Sequence, residues 1–438
     1  MKVAIVHPWF LEAGGAEKVI DALAAMHPEA DIFALSADSK FLPSHIHDRR
    51  IHTSNLNTLL ASRLRFRRAS FMPLFPWATE GLDVSEYDLI LSSCPPVMGV
   101  NAGPDAIHIS YCHTPQRAWW DLYAKRQSQA GWMERQLFIA CATFVRTWEF
   151  CAMQRIDHVI ANSRYIANRV SKYFRKESTV IYPPVDTSMG YLAERHEDYY
   201  LSVSRLDKEK GIEFLIHACN RLKRRLLIVG TGREEKRLKT IAGPTVRFLG
   251  RLSHEDLVAS YAHCRALLFA ADEDFGIVPV EAQAFGRPVI AYDHGGSLET
   301  VRVDDSCGRS DTGILFAKQA TDSVIEGILR FEERESSFVP SEIQKHARQF
   351  DTSVFVNNMR QFIDAAISNR REHYEQSEDR SDAAKSSIGD ADYSSYSDVF
   401  SEAHTPVATN RHPGQVGHSL SSPPEVQDQQ RSVRAGSS

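Results

Sequence analysis

Short apolar runs alternate with amphipathic stretches along the first half of the chain. The stretch Ala16–Met26 repeats its apolar positions with the period of a helix. The runs between such stretches are nearly continuous in apolar residues, as is typical of parallel strands that helices cover on both faces. Strands are therefore predicted at Lys2–Val6, Asp31–Leu35, Asp88–Ser92, Ile107–Tyr111 and Asp157–Ala161. This alternation indicates a doubly wound α/β fold.

The alternation stops at Tyr182–Val185, where two adjacent prolines disfavour both helix and sheet. The polar stretch Asp186–Asp198 follows, and we assign the interdomain linker to it. Strands are then predicted at Tyr200–Ser204, Leu226–Val229, Val246–Leu249, Ala266–Ala270, Val289–Tyr292 and Gly313–Phe316. We therefore expect two Rossmann-like domains, over residues 1–185 and 186–352.

The last amphipathic pattern, Ser353–Asn369, predicts a helix, and we assign residues 353–370 to it. From about Glu372 the chain is rich in Ser, Asp, Gln and Pro and poor in aliphatic residues. Such a segment cannot bury enough apolar surface to offset the entropy of ordering. We therefore expect residues 371–438 to be disordered.

The composition narrows the class of protein. Of 438 residues, 43% are hydrophobic and 24% charged, which is typical of a globular protein with a core. The net charge of -5 argues against a general nucleic-acid binder. The seven cysteines are scattered and odd in number, which favours reduced thiols and a cytoplasmic protein. The apolar run Leu137–Val145 is far shorter than the roughly 20 residues that span a bilayer.

The loop Asp272–Val278 follows a predicted strand, which is where open α/β sheets bind ligands. Gly276 lets the backbone approach a ligand closely, and the helix predicted near Pro279 offers amides to a diphosphate. The carboxylates of Glu273 and Glu281 can accept hydrogen bonds from sugar hydroxyls. For Glu281 alone, the alternative is a charge that simply favours the N-terminus of its helix.

A charged segment follows the first strand of the second domain. Arg205 and Lys210 could hold a diphosphate leaving group, the arginine through its fork and the lysine as a compact charge. A solvated charged turn is the alternative. The turns at Gly230 and Arg251 suit either nucleotide contact or a purely structural role.

In the first domain, Gly14 and Gly15 precede a predicted helix, whose N-terminus can host an anion. The spacing is not Gly-x-Gly-x-x-Gly, so a dinucleotide site is not indicated. His113 lies at the carboxyl end of a predicted strand, within Cys112–Pro115. A histidine at such a position can also be purely structural.

Three of these segments together resemble glycosyltransferase family 4, and in particular bacterial mannosyltransferases of polysaccharide biosynthesis. They are Glu273-x(7)-Glu281 with Phe275-Gly276 between the acids, the Arg205 to Lys210 element, and Cys112–Pro115. The resemblance covers roughly residues 1–370. It implies a GT-B fold, in which two Rossmann-like domains face each other across a cleft and a C-terminal helix crosses back onto the first domain.

The resemblance also implies a retaining, metal-independent hexosyltransferase that needs no cofactor. It implies catalytic roles for His113, Arg205, Lys210 and Glu273. It implies donor contacts for Gly14, Gly15, Gly230, Arg251, Phe275, Gly276, Ile277, Val278 and Glu281. The implied donor is a nucleotide-diphosphate sugar, with GDP-mannose favoured, and the implied acceptor is a glycan or a polyprenyl-diphosphate-linked oligosaccharide.

Two features leave alternatives open. Asp272-Glu273-Asp274 also has the form of an Asp-x-Asp metal–diphosphate motif, which the resemblance to a metal-independent family argues against. The interleaved basic and apolar residues of Arg63–Phe75 predict either peripheral contact with the inner face of the cytoplasmic membrane or a basic helix packed on its own domain.

Other activities are compatible with parts of this pattern. A non-catalytic nucleotide-sugar-binding relative is one, and the intact pairs of acidic and basic candidates argue against it. A nucleotide-sugar epimerase or a phosphorylase could share the fold, although no motif marks a pyridoxal-phosphate lysine. A Rossmann dehydrogenase is disfavoured because the glycine fingerprint is missing.

Overall fold

The computed structural model describes residues 1–12, 14–61, 71–129, 131–303 and 310–389. Met1–Glu372 form one compact unit. Two parallel sheets organise it, one in each half of the chain.

The strands of the first half are β1 (Val3–Phe10), β2 (Asp31–Ala37), β3 (Ile51–Thr53), β4 (Asp83–Val84), β5 (Leu89–Cys94), β6 (Asn101–Ala102), β7 (Ile107–Cys112), β8 (His158–Ala161) and β9 (Thr179–Val180). Among the described residues, seven of them form a parallel sheet in the order β3-β2-β1-β5-β7-β8-β9, while β4 pairs with β6. Because β1 lies next to the central strand β5, its carboxyl end is near the middle of the sheet edge.

The helices of the first half are α1 (Gly15–Met26), α2 (Asn57–Ala61), α3 (Phe75–Glu80), α4 (Tyr123–Gln129), α5 (Trp132–Gln154) and α6 (Arg164–Phe174). The start of α6 is fixed by Ser163, whose hydroxyl accepts a hydrogen bond from the Ile166 amide at 3.2 Å. Such an N-cap satisfies one of the amides that a helix start leaves without a partner.

The strands of the second half are β10 (Tyr200–Val203), β11 (Leu226–Val229), β12 (Val246–Gly250), β13 (Ala266–Phe269), β14 (Val289–Tyr292) and β15 (Gly313–Phe316). They form a parallel sheet in the order β12-β11-β10-β13-β14-β15. The helices are α7 (Ile212–Leu222), α8 (Glu235–Ile241), α9 (His254–His263), α10 (Ile277–Ala284), α11 (Ser297–Thr300), α12 (Thr321–Arg334), α13 (Pro340–Ala347) and α14 (Thr352–Gly389). Leu215 of α7 and Ile328 of α12 pack on the strand residue Ile228 in the core of this domain.

The last helix packs against the first domain. Phe355 and Met359 of α14 are buried in one cluster with Ile5 of β1, Leu23 of α1 and Ile109 of β7. The predicted return of a C-terminal helix onto the first domain is therefore confirmed.

The chain passes between the two domains twice, and the two passages lie side by side. Val185 and Asp351 form an isolated parallel bridge. The Val185 amide donates to the Phe350 carbonyl at 3.1 Å, and the Thr352 amide donates to the Val185 carbonyl at 3.0 Å. Thr187 adds a hydroxyl bond of 2.6 Å to the Asp351 carboxylate.

Each predicted strand is present in the structure. Leu226–Val229, Val289–Tyr292 and Gly313–Phe316 keep their predicted bounds. The main difference is β1, which continues past the predicted end at Val6 to Phe10. Its extra residues pair with the end of β2, so a proline within the run does not end the strand.

The last helix is longer than predicted. It runs to Gly389, whereas the predicted helix ended at Asn369. The Glu, Arg and Ala residues of this stretch favour helix, and extending an existing helix avoids the cost of nucleation. Residues 390–438 lie outside the described part of the chain.

Candidate active site

A cleft of 630 Å³ lies where the carboxyl ends of the two sheets face each other. It collects most of the residues predicted for the site, from both domains. Those that line it are Gly14, Gly15, His113, Arg205, Lys210, Glu273, Phe275, Gly276, Ile277, Val278 and Glu281. Segments far apart in sequence thus meet in one space, as expected beyond the carboxyl ends of parallel strands.

Lys210 and Glu273 form an ion pair inside the cleft, with Nζ 2.5 Å from Oε1. Lys210 ends a 3₁₀ turn after β10, and Gly211 follows it at φ +65°. Glu273 follows β13, which is the neighbour of β10 in the sheet. The two loops meet because their strands are adjacent, and this places a cation and a carboxylate at one point of the site.

Arg205 lies at the mouth of the cleft. Its side chain is 67% exposed, and its Nη1 is 3.4 Å from Oε2 of Glu12 in the first domain. The guanidinium therefore reaches across the opening toward the opposite domain.

Both carboxylate oxygens of Glu281 have partners. Lys18 of α1 donates to Oε1 at 3.0 Å from the opposite domain, and the buried Tyr261 hydroxyl donates to Oε2 at 2.9 Å. Sequence reasoning missed both partners. Lys18 could have been identified from the sequence, because it lies in the first turn of the helix that follows Gly15. No neighbouring sequence feature indicates that Tyr261 belongs to the site.

Two glycines allow close approaches in the cleft. Gly276 precedes α10 with φ +87°, a conformation that side chains rarely adopt. A Cβ on Gly15 would lie 2.7 Å from Cδ1 of Ile277, so a side chain there would force the end of the Ile277 side chain to move. The first amides of α10, which have no partner within the helix, begin at this point.

His113 is partly buried at the end of β7. Its Nε2 lies 2.9 Å from the Ser93 hydroxyl, and its carbonyl accepts from Asn162 at 2.9 Å. Burial, together with the nearby His7 ring, lowers the pKa of His113 to about 3. The imidazole is therefore neutral at physiological pH and can offer or accept one hydrogen bond in the cleft.

The Asp-x-Asp carboxylates are held by arginines of the first domain. Arg117 Nη2 is 2.7 Å from Asp272 Oδ2, and Arg169 Nη1 is 3.0 Å from Asp274 Oδ1. Burial opposes ionisation of Asp272, but the Arg117 bond and a contact with His294 leave its pKa lowered. Burial raises the pKa of Asp274 to about 6 despite Arg169. In the described part of the chain, no cluster of three or more His, Cys, Asp and Glu side chains has metal-binding geometry.

Two predicted donor residues do not line the cleft. Gly230 has φ +128°, and a Cβ there would lie 1.9 Å from the Ser204 carbonyl oxygen, so it supports the loop that carries Arg205. Arg251 is exposed outside the cleft lining. The spacing of these turns in the sequence does not determine whether Gly230 and Arg251 face the cleft or point away from it.

Phe275 touches the cleft but is 3% exposed. Its ring packs on Tyr182 and Phe350, with centroids 5.5 Å away in both cases. It therefore also anchors the region where the chain passes between the domains.

Most of the basic segment predicted to contact a membrane, Arg63–Phe75, lies outside the described residues. Met72–Leu74 form a 3₁₀ turn, and Phe75 is buried. Among the helices that the structure describes, none has the length and apolarity to cross a bilayer.

Comparison with known proteins gives matches over both domains. The profile of Glycosyltransferase Family 4 matches residues 13–189, and that of Glycosyl transferases group 1 matches residues 190–350. The chain is 27% identical to alpha-1,3/1,6-mannosyltransferase ALG2 of Kluyveromyces lactis, over 68% of this chain and 71% of that protein.

Two further proteins are similar to this chain, one in sequence over a shorter segment and one in fold. Over 114 residues, 22% of this chain and 30% of the other, it is 41% identical to the GDP-mannose-dependent monoacylated alpha-(1-6)-phosphatidylinositol monomannoside mannosyltransferase of Corynebacterium glutamicum. The fold is similar to that of Anabaena HepE in complex with UDP, with a TM-score of 0.61 and 19% identity over 83% of this chain and 100% of that chain.

Proposed function

Because the chain belongs to glycosyltransferase family 4 and is a hexosyltransferase of the GT-B fold, we propose that it transfers mannose from GDP-mannose to a lipid-linked glycan. We further propose that the transfer retains configuration and needs neither a metal ion nor a cofactor. The names of the two mannosyltransferase relatives support the sugar, and one of them supports the guanosine nucleotide.

The observation that carries the proposal is the Lys210–Glu273 pair, which lies in one cleft with Arg205 and the N-terminus of α10. Cations and helix amides suit a diphosphate, and a carboxylate suits sugar hydroxyls. A nucleotide-diphosphate sugar carries a diphosphate and sugar hydroxyls close together, because the diphosphate is bonded directly to the sugar ring. The donor would therefore separate the ion pair and satisfy each of its members.

The cleft would catalyse the reaction by stabilising the negative charge that develops on the leaving diphosphate. As the bond between the sugar's anomeric carbon and the diphosphate oxygen breaks, negative charge grows on the diphosphate. Lys210, Arg205 and the α10 amides would stabilise that charge. The departing oxygen would take the proton of the acceptor hydroxyl on the same face, so the new bond forms where the old bond was. The neutral His113 would hydrogen-bond the donor sugar.

We propose that the acceptor lies at a membrane surface to which α5 binds. The side chains of Trp132, Met133, Leu137 and Phe144 in α5 are 76%, 77%, 67% and 53% exposed. A soluble surface seldom presents so many large apolar side chains on one helix, and such faces commonly bind partners or lipid. The basic residues of Arg63–Phe75 would add attraction to anionic headgroups.

Replacement of Lys210 tests the proposed role of the cleft. We expect Lys210→Ala to lower kcat/KM for GDP-mannose by about a hundred- to a thousandfold, because the transition state loses a cation beside the leaving group. Lys208→Ala is the matched control, since Lys208 lies in the same turn but is exposed and outside the cleft lining. Equal activity of the two variants in a mannosyl-transfer assay would remove Lys210 from the mechanism.

A chelator tests the proposed independence of metal. We expect excess EDTA to leave the initial rate unchanged, since Asp272 and Asp274 are engaged by Arg117 and Arg169. A rate that EDTA abolishes and Mn²⁺ restores would instead assign these carboxylates to a metal site.

A further inference from the structure

A second cavity opens from the cleft on the side of the first domain. It has a volume of 220 Å³ and shares Trp9, Glu17 and His113 with the cleft. At ~30 Å³ per water molecule it has room for about seven waters, which suits a single sugar ring better than a chain of them. We call this cavity the side chamber.

The walls of the side chamber are mainly apolar. They include the side chains of Pro8, Met72, Phe75 and Pro96, with the partly exposed Trp9 at the opening to the cleft. In a pocket of this kind, a small number of polar groups fixes the orientation of the ligand.

Glu17 is the acidic group of the side chamber. It lies in the first turn of α1, its side chain is 10% exposed, and it lines both the chamber and the cleft. Among the described residues it makes no hydrogen bond, although Lys18, the next residue, is bonded to Glu281. Its carboxylate is therefore available to a hydroxyl that enters from the cleft.

His7 lies behind Glu17 and is also without a hydrogen bond in the described part of the chain. The residue is 2% exposed, and neither ring nitrogen has a partner. Its Nε2 is 3.7 Å from Oε1 of Glu17, just beyond hydrogen-bond distance. An imidazole carries a proton on at least one ring nitrogen in either protonation state, and a buried N–H without an acceptor costs free energy. A small movement of Glu17 would remove this cost.

We propose that the side chamber binds the reacting sugar ring of the acceptor, and that Glu17, backed by His7, accepts a hydrogen bond from an acceptor hydroxyl. This inference rests on the proposed glycosyl transfer. The chamber meets the cleft beside His113, where the donor sugar would lie, so a ring in it is adjacent to the donor. When the hydroxyl bonds to one oxygen of Glu17, His7 bonds to the other. Glu17 is then a determinant of acceptor binding, and His7 is a positioning residue that acts through it.

Kinetics with a probe acceptor, octyl α-mannoside, test the inference. We expect Glu17→Gln to raise the KM for the mannoside at least tenfold while the KM for GDP-mannose and the slow hydrolysis of GDP-mannose in the absence of acceptor stay unchanged. His7→Phe should shift the mannoside KM in the same direction by a smaller factor. Glu29→Gln, on the exposed surface beyond α1, is the control. Equal mannoside KM values for Glu17→Gln and wild type, or a parallel loss of donor hydrolysis, would overturn the inference.

A binding measurement separates this inference from the proposed donor. Saturation-transfer NMR of octyl α-mannoside with the GDP-saturated enzyme needs no turnover. Binding to wild type that Glu17→Gln abolishes supports the side chamber even if GDP-mannose is not the donor. A mannoside that does not bind wild type, or that binds Glu17→Gln as well as wild type, overturns the inference.

Discussion

At the scale of single residues, the cleft pairs its own charges before a ligand enters. Lys18 contacts Glu281, Lys210 contacts Glu273, and Arg205 approaches Glu12. A partly buried charge without a partner is costly, so the pairs of Lys210 and Glu281 matter more than the exposed approach of Arg205 to Glu12. A diphosphate sugar can replace each partner with one of its own groups, and binding then leaves few charges unsatisfied.

Glu149 provides a pH-dependent prediction at this scale. The residue is fully buried in α5, and burial raises its pKa to about 8, although Trp120 Nε1 donates to its carboxyl at 2.7 Å. Between about pH 5 and pH 8 the folded state keeps a proton that the unfolded state loses. We therefore expect the wild-type free energy of unfolding to fall relative to Glu149→Gln by about 1.4 kcal/mol per pH unit in this window.

Denaturant unfolding of both proteins at several pH values measures this difference. The difference should be flat above about pH 8, where Glu149 is ionised in both states. A difference that does not change between pH 5 and pH 8 would show that Glu149 is already ionised in the folded protein.

Sequence reasoning identified those site residues that lie in loops directly after strands, such as Lys210 and Glu273. These positions follow from the rule that ligands bind beyond the carboxyl ends of parallel strands. Lys18 and Tyr261 could not be found in this way, because neither follows a strand directly. Lys18 reaches Glu281 from the other domain, and Tyr261 reaches it from a neighbouring helix of the same domain. The orientation of Arg251 was not predictable either, since it depends on how its strand end turns.

At the scale of elements, α5 exposes several large apolar side chains along one helix. Leu137 is 67% exposed there, whereas Val145, farther round the helix, is buried. Two ionisable side chains of this helix are bonded to the rest of the first domain: Arg146 donates to the Trp119 carbonyl at 2.6 Å, and Glu149 accepts from the Trp120 ring nitrogen at 2.7 Å. This exposed face is the one that we propose to bind lipid.

Vesicle binding tests this role of α5. Burying a leucine side chain is worth about 1.5–3 kcal/mol, so Leu137→Glu should weaken binding to anionic vesicles by about tenfold or more. Leu329→Glu is the control, because Leu329 is a 41% exposed leucine on α12. Sedimentation with phosphatidylserine-containing vesicles measures the effect. Equal loss in both variants would point to a general effect of charge and not to α5.

The pattern of apolar residues predicted the strands well because each is covered on both faces and reads as a continuous run. Ends were harder to predict where pairing extends a strand, as in β1, or where helix propensity extends a helix, as in α14. In the second case the sequence beyond Asn369 has no amphipathic apolar pattern that would have marked the continuation.

At the scale of the whole molecule, α14 joins the second half of the chain to the core of the first domain. Phe355 is 2% exposed, and its ring meets Tyr111 edge-on at 6.0 Å. We expect Phe355→Ala to lower the free energy of unfolding by about 3–5 kcal/mol, as is usual for a buried phenylalanine. Phe144→Ala, at a 53% exposed position, should change it far less.

Thermal and denaturant unfolding of these two variants are the measurements. A loss at Phe355 as small as that at Phe144 would show that α14 detaches from the first domain before the core unfolds.

The adjacent passages at Val185 and Asp351 restrict how the two domains of this enzyme can move when the cleft opens and closes. A single connection would let one domain rotate about the other in any direction. Two connections joined by backbone hydrogen bonds should favour rotation about one axis and restrict twisting. Gly15 and Ile277 should therefore return to the same facing position after each opening, so every catalytic cycle starts from one alignment of the lobes.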